Sequence, residues 1–236
     1  MKTIQSIDRA MLILNYISKH NGNCTLTDIG NELELKLPTL HGILATLEHW
    51  NIINKQENKY TLGGKLFELG KIFEAGLSIQ KLLHPYLEQL AAEFGETIYL
   101  AIPSNHRLLY IDEVVSKHPL RLTSIVGSTE EFGSSGIGMV VLANLPQTEW
   151  DEAASQAGID AAVMRERLIS IRQQGYFVHR KQNCDCYCIA ISLENIYNTA
   201  VGMSTFIPAY RFTEELARKV TDRMRIIKQN IKADLK

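Results

Sequence analysis

Apolar residues in the first third of the chain recur at helical spacing in three short segments. The segment "SIDRAMLILNYISKH" predicts a first helix, with Ser6 placed to cap its start. After "NGNC", the segment "DIGNEL" predicts a second helix that Thr27 can cap. Pro38 suits the first turn of a third helix, "PTLHGILATLE", because its missing N–H would have no partner there. Two short helices joined by a tight connection make a helix-turn-helix candidate.

The third predicted helix is apolar on one side only. Its apolar stripe is formed by Leu40, Ile43, Leu44 and Leu47. The opposite side carries small and polar residues, namely Pro38, Thr39, His41, Gly42, Ala45, Thr46 and His49. The segment that follows, "NIINKQENKYTLGG", has the outline of a β-hairpin. A hairpin directly behind such a helix indicates a winged helix.

A winged helix docks its second short helix in the major groove of DNA and can lay the hairpin along the backbone. Gly42 and Ala45 would then allow close approach to the base edges. Hydrogen-bond donors on the same side are offered by Thr39, His41, Thr46 and His49. Candidate phosphate contacts are Lys36 ahead of the helix and Lys55 and Lys59 in the hairpin.

The charge balance does not by itself indicate a nucleic-acid partner, since the formal net charge is −1. Up to residue 80 the chain carries eight Lys or Arg and eight Asp or Glu. A neutral unit gains little affinity from counterion release, although a dimer could compensate by presenting two units at once. Helix-turn-helix units also serve as protein-interaction modules, and the spacing alone leaves that alternative open.

Beyond Gly70 the pattern mixes helices with strands. The segment "KIFEAGLSIQKLLHPYLEQLAAEFG" continues the helical periodicity, with a break expected near Pro85. Strands are predicted for "TIYLAI", "RLLYIDEV", "LRLTSIV", "YCIAISL" and "AVGMSTF". Helices are predicted for "GIGMVVLANL", for "AVMRERLISIRQQG" and from about Thr213 onward. Hairpins mixed with helices indicate an α+β fold with an antiparallel sheet.

Composition narrows the class of protein. A length of 236 residues with 45% hydrophobic content is typical of one large or two smaller globular domains. The sequence has no apolar run of membrane-spanning length and no signal-peptide pattern, so we expect a cytoplasmic protein with no membrane partner. Three of the four cysteines are crowded into "CDCYC", which is not a disulfide framework, and we expect reduced thiols.

Two segments in the second half could carry a site. "FGSSGIG" lacks the Walker lysine and the full dinucleotide fingerprint, which argues against a nucleotide, but a helix start with free N–H groups can hold a carboxylate. In "NCDCYC", Cys184, Cys186 and Cys188 would share one face of a strand, with His179 upstream. The cysteine spacing is unlike that of structural zinc sites, and buried free cysteine is the simpler interpretation.

Segments in both halves resemble, in order and spacing, the IclR family of bacterial transcription regulators. They are "SIDRAMLILNYIS", "LTDIGNELEL", "TLHGILATLE", "KYTLGGKLFELG", "LLHPYLEQLAAEFGETIYLAI", "SSGIGMVVLANLP", "CIAISLEN" and "GMSTFIPAYRFTEE". The resemblance implies an α+β chain with a winged helix-turn-helix DNA-binding domain over 1–64 and a linker helix over 65–80. It implies a GAF-like or profilin-like α/β effector-binding domain with an antiparallel sheet over 81–236.

The function implied by the resemblance is that of a transcriptional regulator, in many members a repressor. A small organic-acid or aromatic metabolite would control its affinity for double-stranded operator DNA. Family members usually form dimers that pair into tetramers, so we expect a homodimer or homotetramer. No catalytic activity and no cofactor are expected.

The resemblance also suggests where the effector binds. The residues that match the family's effector pocket are Ser135, Gly136, Ile137, Cys188 and Ser204. Two positions depart from the family pattern, because His179 lies near an acidic pocket position and Phe206 stands where a serine is frequent. These differences favour a ligand larger or more aromatic than glyoxylate or pyruvate.

A second departure concerns DNA. The family tends to carry a Lys-Ser-Thr segment and then an Arg at the recognition helix, where this chain has Leu37, Pro38, Thr39 and Gly42. We therefore expect operator recognition to rely on the wing, the first helix with Arg9, or DNA shape. The alternative is a metal- or thiol-redox-responsive regulator that uses the cysteines of "CDCYC".

Overall fold

The computed structural model describes residues 3–76, 78–118, 124–181 and 185–235. The chain divides into two compact units, Met1–Leu77 and Ser78–Lys236. The helices of the first unit are α1 (Gln5–Lys19), α2 (Leu26–Glu32), α3 (Leu37–His49) and α4 (Gly64–Gly76). Its strands are β1 (Cys24–Thr25), β2 (Ile53–Gln56) and β3 (Lys59–Leu62). They form an antiparallel sheet in the order β1-β3-β2, so the predicted winged helix-turn-helix is confirmed.

The core of the first unit follows the predicted helical stripes. Ile13 and Ile17 of α1, Leu40 and Leu44 of α3, and Ile53 of the wing are buried together. The apolar side of α3 therefore packs inward, as its spacing predicts.

The starts of the first two helices differ from the predictions. The residue ahead of α1 is Ile4, which forms no side-chain cap, so the predicted cap at Ser6 is wrong. The cap of α2 is Thr25 and not Thr27: Thr25 Oγ1 accepts from the backbone N–H of Asp28 at 3.3 Å. The carboxylate of Asp28 accepts in return from the backbone N–H of Thr25 at 2.8 Å. This reciprocal pair satisfies two backbone donors, whereas Thr27 is already the second residue of the helix and does not take part in it.

The second unit combines helices with a larger sheet. Its helices are α5 (Ser78–Phe94), α6 (Gly136–Leu142), α7 (Thr148–Ala157), α8 (Ala161–Gln174) and α9 (Glu214–Asp234). Its strands are β4 (Ile98–Ser104), β5 (Arg107–Val114), β6 (Thr129–Glu130), β7 (Tyr176–Lys181), β8 (Cys186–Ile196) and β9 (Thr199–Pro208). A short 3₁₀ turn, Phe132–Ser134, precedes α6.

The sheet of the second unit is antiparallel, in the order β6-β5-β4-β9-β8-β7. One face packs against α6, α7 and α8, and we call it the α6 face; it includes Tyr99, Cys188, Ala190 and Phe206. Helices α5 and α9 pack against the other face. Both faces are covered, which explains why the central strands read as nearly continuous apolar runs.

Two predictions about the second unit need correction. The break expected near Pro85 is wrong, because α5 continues through it. Burial of Ile79, Leu83, Leu87 and Leu90 stabilises α5 by more than the roughly 3 kcal/mol that an internal proline costs. The predicted strand over "LRLTSIV" is residues 120–126: residues 120–123 lie outside the described ranges, and residues 124–126 are not in a strand.

Candidate nucleic-acid interface and ligand site

The polar side of α3 faces solvent. Its exposed residues are Pro38, Thr39, His41, Gly42, Ala45, Thr46 and His49. A β-carbon placed on Gly42 would meet no atom within 4 Å, so the surface is open at the middle of the helix. A mid-helix glycine costs about 1 kcal/mol relative to alanine, and nothing in the packing of α3 requires it.

The hydrogen-bonding groups of this surface differ in availability. Thr46 Oγ1 donates its hydrogen to the backbone carbonyl of Gly42 at 2.8 Å. The hydroxyl therefore presents lone pairs to the outside, whereas we predicted a hydrogen-bond donor. The His49 ring packs edge-on against the exposed Trp50, with 5.8 Å between ring centroids. Thr39 and His41 remain exposed on the first turns of the helix.

The predicted phosphate contacts lie around α3. Lys36 directly precedes the helix, and Lys55 and Lys59 lie on the two strands of the wing; all three are exposed. Lys55 Nζ lies 5.8 Å from the centre of the Tyr60 ring. Arg9 is half-buried on α1, and Thr27 is exposed in the first turn of α2.

The seven predicted effector residues lie on the α6 face of the large sheet and on the segment that covers it. His179, Cys188 and Phe206 lie directly opposite one another on β7, β8 and β9. Ser204 lies two residues before Phe206 on β9 and therefore on the same face. Ser135, Gly136 and Ile137 are buried where the 3₁₀ turn leads into α6.

Gly136 brings these elements together. A β-carbon on Gly136 would lie 2.8 Å from Cys188 Sγ and 2.9 Å from His179 Cδ2, so only glycine allows this approach. Burial raises the pKa of the Cys188 thiol to about 12, although the Gly136 and Ile137 N–H groups favour its thiolate. Cys188 is therefore a neutral thiol and a poor nucleophile or metal ligand.

Three polar atoms on the α6 face are closed off from solvent. Tyr99 Oη, Ser204 Oγ and His179 Nε2 have no hydrogen-bond partner within the described ranges. Burial raises the pKa of Tyr99 to about 12, with a smaller contribution from the charge of Glu113. The nearby Thr97 hydroxyl lowers the pKa, but it is not placed to form a hydrogen bond with Tyr99 Oη. Buried polar groups without partners are uncommon, so three on one face mark a candidate ligand site.

Sequence reasoning missed several residues of this site. Tyr99 lies in an apolar run and is paired with Ser204 across β4 and β9. Its ring packs against Phe206 with 5.4 Å between centroids. Lys181 Nζ lies 5.1 Å from the Phe206 ring centre and 3.8 Å from Glu130. A polar aromatic residue inside an otherwise apolar strand was the available signal for Tyr99.

A groove of about 1090 Å³ lies elsewhere in the second unit. It follows the outer edge of β7 between α8 and α9, and its rim carries charges of both signs, among them Glu166, Arg167 and Arg225. None of the seven predicted effector residues lines it. The groove and the enclosed polar atoms are therefore separate features of the second unit.

The cysteine predictions are met only in part. Cys186 and Cys188 both face the α6 side. Cys186 is disulfide-bonded, so the prediction that the cysteines are reduced thiols is wrong for Cys186. Cys188 is a free thiol, and Cys184 lies outside the described residues. Among the side chains described, the one cluster suited to a cation is His106, Glu149 and Glu152, which is solvent-accessible and contains no cysteine.

Comparisons with known proteins agree with both units. Residues 6–57 match the IclR helix-turn-helix domain, and residues 75–233 match the domain described as bacterial transcriptional regulator IclR C-terminal. In the described part of the chain, no helix has the length and apolar character needed to cross a membrane.

Relatives support the same assignment. Transcriptional repressor IclR of Escherichia coli is 26% identical over 73% of this chain and 68% of its own length. The regulator XynR of Escherichia coli is 29% identical over 83% of this chain and 82% of its own. An IclR homologue from Microbacterium hydrocarbonoxydans, solved with 4-hydroxybenzoate, superposes with a TM-score of 0.79 at 18% identity, covering 98% of both chains. With a winged helix-turn-helix in front and the IclR C-terminal domain matched over most of the remainder, this chain belongs to the IclR family of bacterial transcriptional regulators.

Proposed function

We propose that this protein represses transcription by inserting α3 into the major groove of an operator, and that a small organic acid bound on the α6 face controls the affinity. The observation that carries the DNA part is the open, polar side of α3. It is exposed over its whole length, and its centre at Gly42 leaves room for a base edge. Repression is the direction suggested by relatives that are named as repressors.

The contacts to DNA divide by chemistry. Thr39 and His41 can read base edges, while Lys36, Lys55 and Lys59 neutralise phosphates. The helix itself carries no Arg or Lys, so discrimination between sequences rests partly on DNA shape.

A dimer would supply the affinity that one neutral unit lacks. Helix α4 has no buried residue, and Leu66, Leu69, Ile72 and Phe73 fall on one stripe of it. Ile72 is 71% exposed and Phe73 is 56% exposed. An exposed apolar stripe of this kind favours pairing with a second copy of the chain, which would present two α3 helices to one operator.

The effector part of the proposal is supported by the unpartnered atoms on the α6 face. A small acid could supply the missing partners of Tyr99 and Ser204, and a relative of the same fold binds 4-hydroxybenzoate. The acid would bind one arrangement of the paired chains more tightly than another and would thereby change the affinity for the operator. Because such coupling is reciprocal, the operator would change the affinity for the acid by the same factor. Such a regulator would act in the cytoplasm.

The proposal can be tested by selecting genomic DNA fragments that the purified protein binds. We expect a small set of fragments that share an inverted repeat, as two symmetric α3 helices require. Binding measured in a gel shift at fixed salt should weaken when the correct acid is added. Retention of fragments without any shared sequence would contradict a specific operator.

Removing the Ser204 hydroxyl should stabilise the protein and abolish its response to an acid. Ser204→Ala deletes a buried hydroxyl that has no hydrogen-bond partner among the described residues, so we expect the free energy of unfolding to rise by about 1 kcal/mol. Thermal unfolding with and without 4-hydroxybenzoate measures both effects.

Thr205→Val is the matched control for Ser204→Ala. Thr205 Oγ1 is also buried without a partner among the described residues, but it lies on the opposite face of the sheet. This substitution should stabilise the free protein to a similar extent and leave its response to the acid intact. Equal loss of response in both variants would show that Ser204 does not contact the ligand.

A further inference from the structure

The large sheet of the second unit has one short edge and one long edge. Strand β6 at one edge has two residues, whereas β7 at the other edge has six. Short edge strands are one means by which proteins prevent their sheets from joining, and β7 lacks that protection. The groove of about 1090 Å³ runs along β7, so the outer side of this strand is accessible to a partner.

The hydrogen bonds to β8 establish which backbone groups of β7 point outward. The backbone carbonyl of Gly175 accepts from the N–H of Ser192 at 3.1 Å, in the register of the two strands. Hydrogen-bonded positions alternate along an antiparallel pair, so every second residue from Gly175 onward bonds to β8. The N–H and C=O groups of the residues between them, Tyr176, Val178 and Arg180, therefore point away from the sheet.

Helix α9 lies beside this edge without covering it. The helix packs mainly on β8, which is one strand in from the edge. The Arg225 guanidinium lies 4.7 Å from the centre of the Tyr176 ring. Lys228 Nζ lies 4.0 Å from the position of a β-carbon on Gly175. Because the later residue of α9 lies beside the earlier residue of the strand, α9 runs opposite to β7.

These contacts determine which part of α9 lies level with the middle of β7. Val178 is about 7 Å further along β7 than Tyr176, which corresponds to about four or five residues of a helix. Counting back from Arg225 gives a point on α9 between Arg218 and Asp222. A twofold axis through Val178 therefore passes close to residue 220.

The charges of α9 complement themselves about such an axis. Arg218 of one copy would lie level with Asp222 of the other, and Glu215 with Arg225, since both pairs are centred on residue 220. Arg218 has no ion-pair partner among the described residues, whereas Asp222 lies 3.5 Å from Arg225. A second copy supplies the partner that Arg218 lacks, while an unrelated extended peptide would match only the backbone of β7.

We propose that two copies of the chain join through their β7 edges, in antiparallel register with Val178 opposite the partner's Val178. Tyr176 then lies opposite the partner's Arg180, and the outward backbone groups of the two strands exchange hydrogen bonds. The two six-stranded sheets become one, and the two α9 helices face each other on the same side of it. This contact is separate from the α4 pairing, and it goes beyond the proposed function because it requires neither DNA nor an acid.

Cysteine crosslinking of the full chain tests the register. In the proposed pair the two Val178 α-carbons lie about 5.5 Å apart, within disulfide range, and the two Arg180 α-carbons lie about 14 Å apart. Val178→Cys should therefore give a disulfide-linked dimer under mild oxidation, and Arg180→Cys should not. Ser155→Cys, at an exposed position of α7, is a further control that should give no dimer.

Charge reversal tests the α9 contact in a background with Ile72→Lys, which removes the proposed α4 pairing. Sedimentation velocity should show a monomer at micromolar concentration and a dimer near millimolar, with a Kd of about 100 µM, as a small contact implies. Adding Arg218→Asp brings like charges together and should raise this Kd at least about tenfold. Adding Asp222→Arg as well restores opposite charges, and the Kd should return to within about threefold of its starting value.

Any one of three results overturns the inference. The first is a lack of disulfide-linked dimer from Val178→Cys, or an equal yield from Arg180→Cys. The second is a monomer at every concentration in the Ile72→Lys background. The third is an association that Arg218→Asp does not weaken or that the double reversal does not restore. None of these results bears on the proposed regulator, which is tested by operator binding.

Discussion

Gly42→Glu should abolish specific operator binding without unfolding the protein. A β-carbon at this position meets no atom within 4 Å, and glutamate favours a helix more than glycine does, so we expect the fold to be retained. In the groove, the carboxylate would face phosphates and acceptor-rich base edges. We expect the operator Kd to rise by at least about 100-fold, or about 3 kcal/mol, in a gel-shift titration at fixed salt.

Two variants control for the Gly42→Glu result. Ser155→Glu adds the same charge at an exposed helical position of the second unit and should leave operator affinity unchanged. Gly42→Ala adds only a methyl group and should raise the stability of the first unit by about 1 kcal/mol while weakening operator binding less than glutamate does. Unchanged operator affinity in Gly42→Glu would mean that this side of α3 does not face DNA.

Ile72→Lys should convert the proposed dimer into monomers. Ile72 belongs to the apolar stripe of α4 and is 71% exposed in the single chain, so a lysine there would place a charge inside the pairing surface. Sedimentation velocity at micromolar concentration should show a dimer for the wild-type protein and a monomer for the variant. Loss of the second α3 helix should weaken operator binding by about 10²–10⁴-fold.

Phe67→Lys is the matched control on the same helix. Phe67 is 69% exposed but lies on the opposite side of α4, where Lys71 Nζ is 5.8 Å from its ring centre. We expect this variant to remain a dimer with normal operator affinity. If Phe67→Lys dissociates the dimer as strongly as Ile72→Lys, or if neither does, the stripe is not the pairing surface.

Periodicity predicted the elements whose apolar residues are large and regularly spaced. The stripe of Leu40, Ile43, Leu44 and Leu47 predicted which side of α3 is buried. Four large apolar side chains on one stripe can be buried together only if that side of the helix faces the core. Helix α7 was not predicted, since its inward face consists largely of Ala153 and Ala154 with one tryptophan. Small side chains give a weak periodic signal even when they are buried.

Local polar interactions were harder to predict than packing. Both Thr25 and Thr27 can cap a helix, and the choice depends on which one exchanges hydrogen bonds with Asp28. The edge strand β7 was missed because "YFVHRK" combines polar and apolar residues without alternation. The family resemblance suggested His179, Cys188 and Ser204 as ligand contacts, but only the three-dimensional structure exposes the unpartnered state of His179 Nε2 and Ser204 Oγ.

Photocrosslinking can show whether the outer side of α3 contacts bases. The photoreactive residue p-benzoylphenylalanine is placed at position 42, where the helix is exposed and a β-carbon meets no atom within 4 Å, so we expect the helix to be retained. Irradiated with a selected operator fragment, it should crosslink to a base inside the protected half-site, and the same residue at position 155 should give no crosslink to DNA. Protein that protects the fragment yet shows no DNA crosslink from position 42 would contradict the claim that α3 reads the groove.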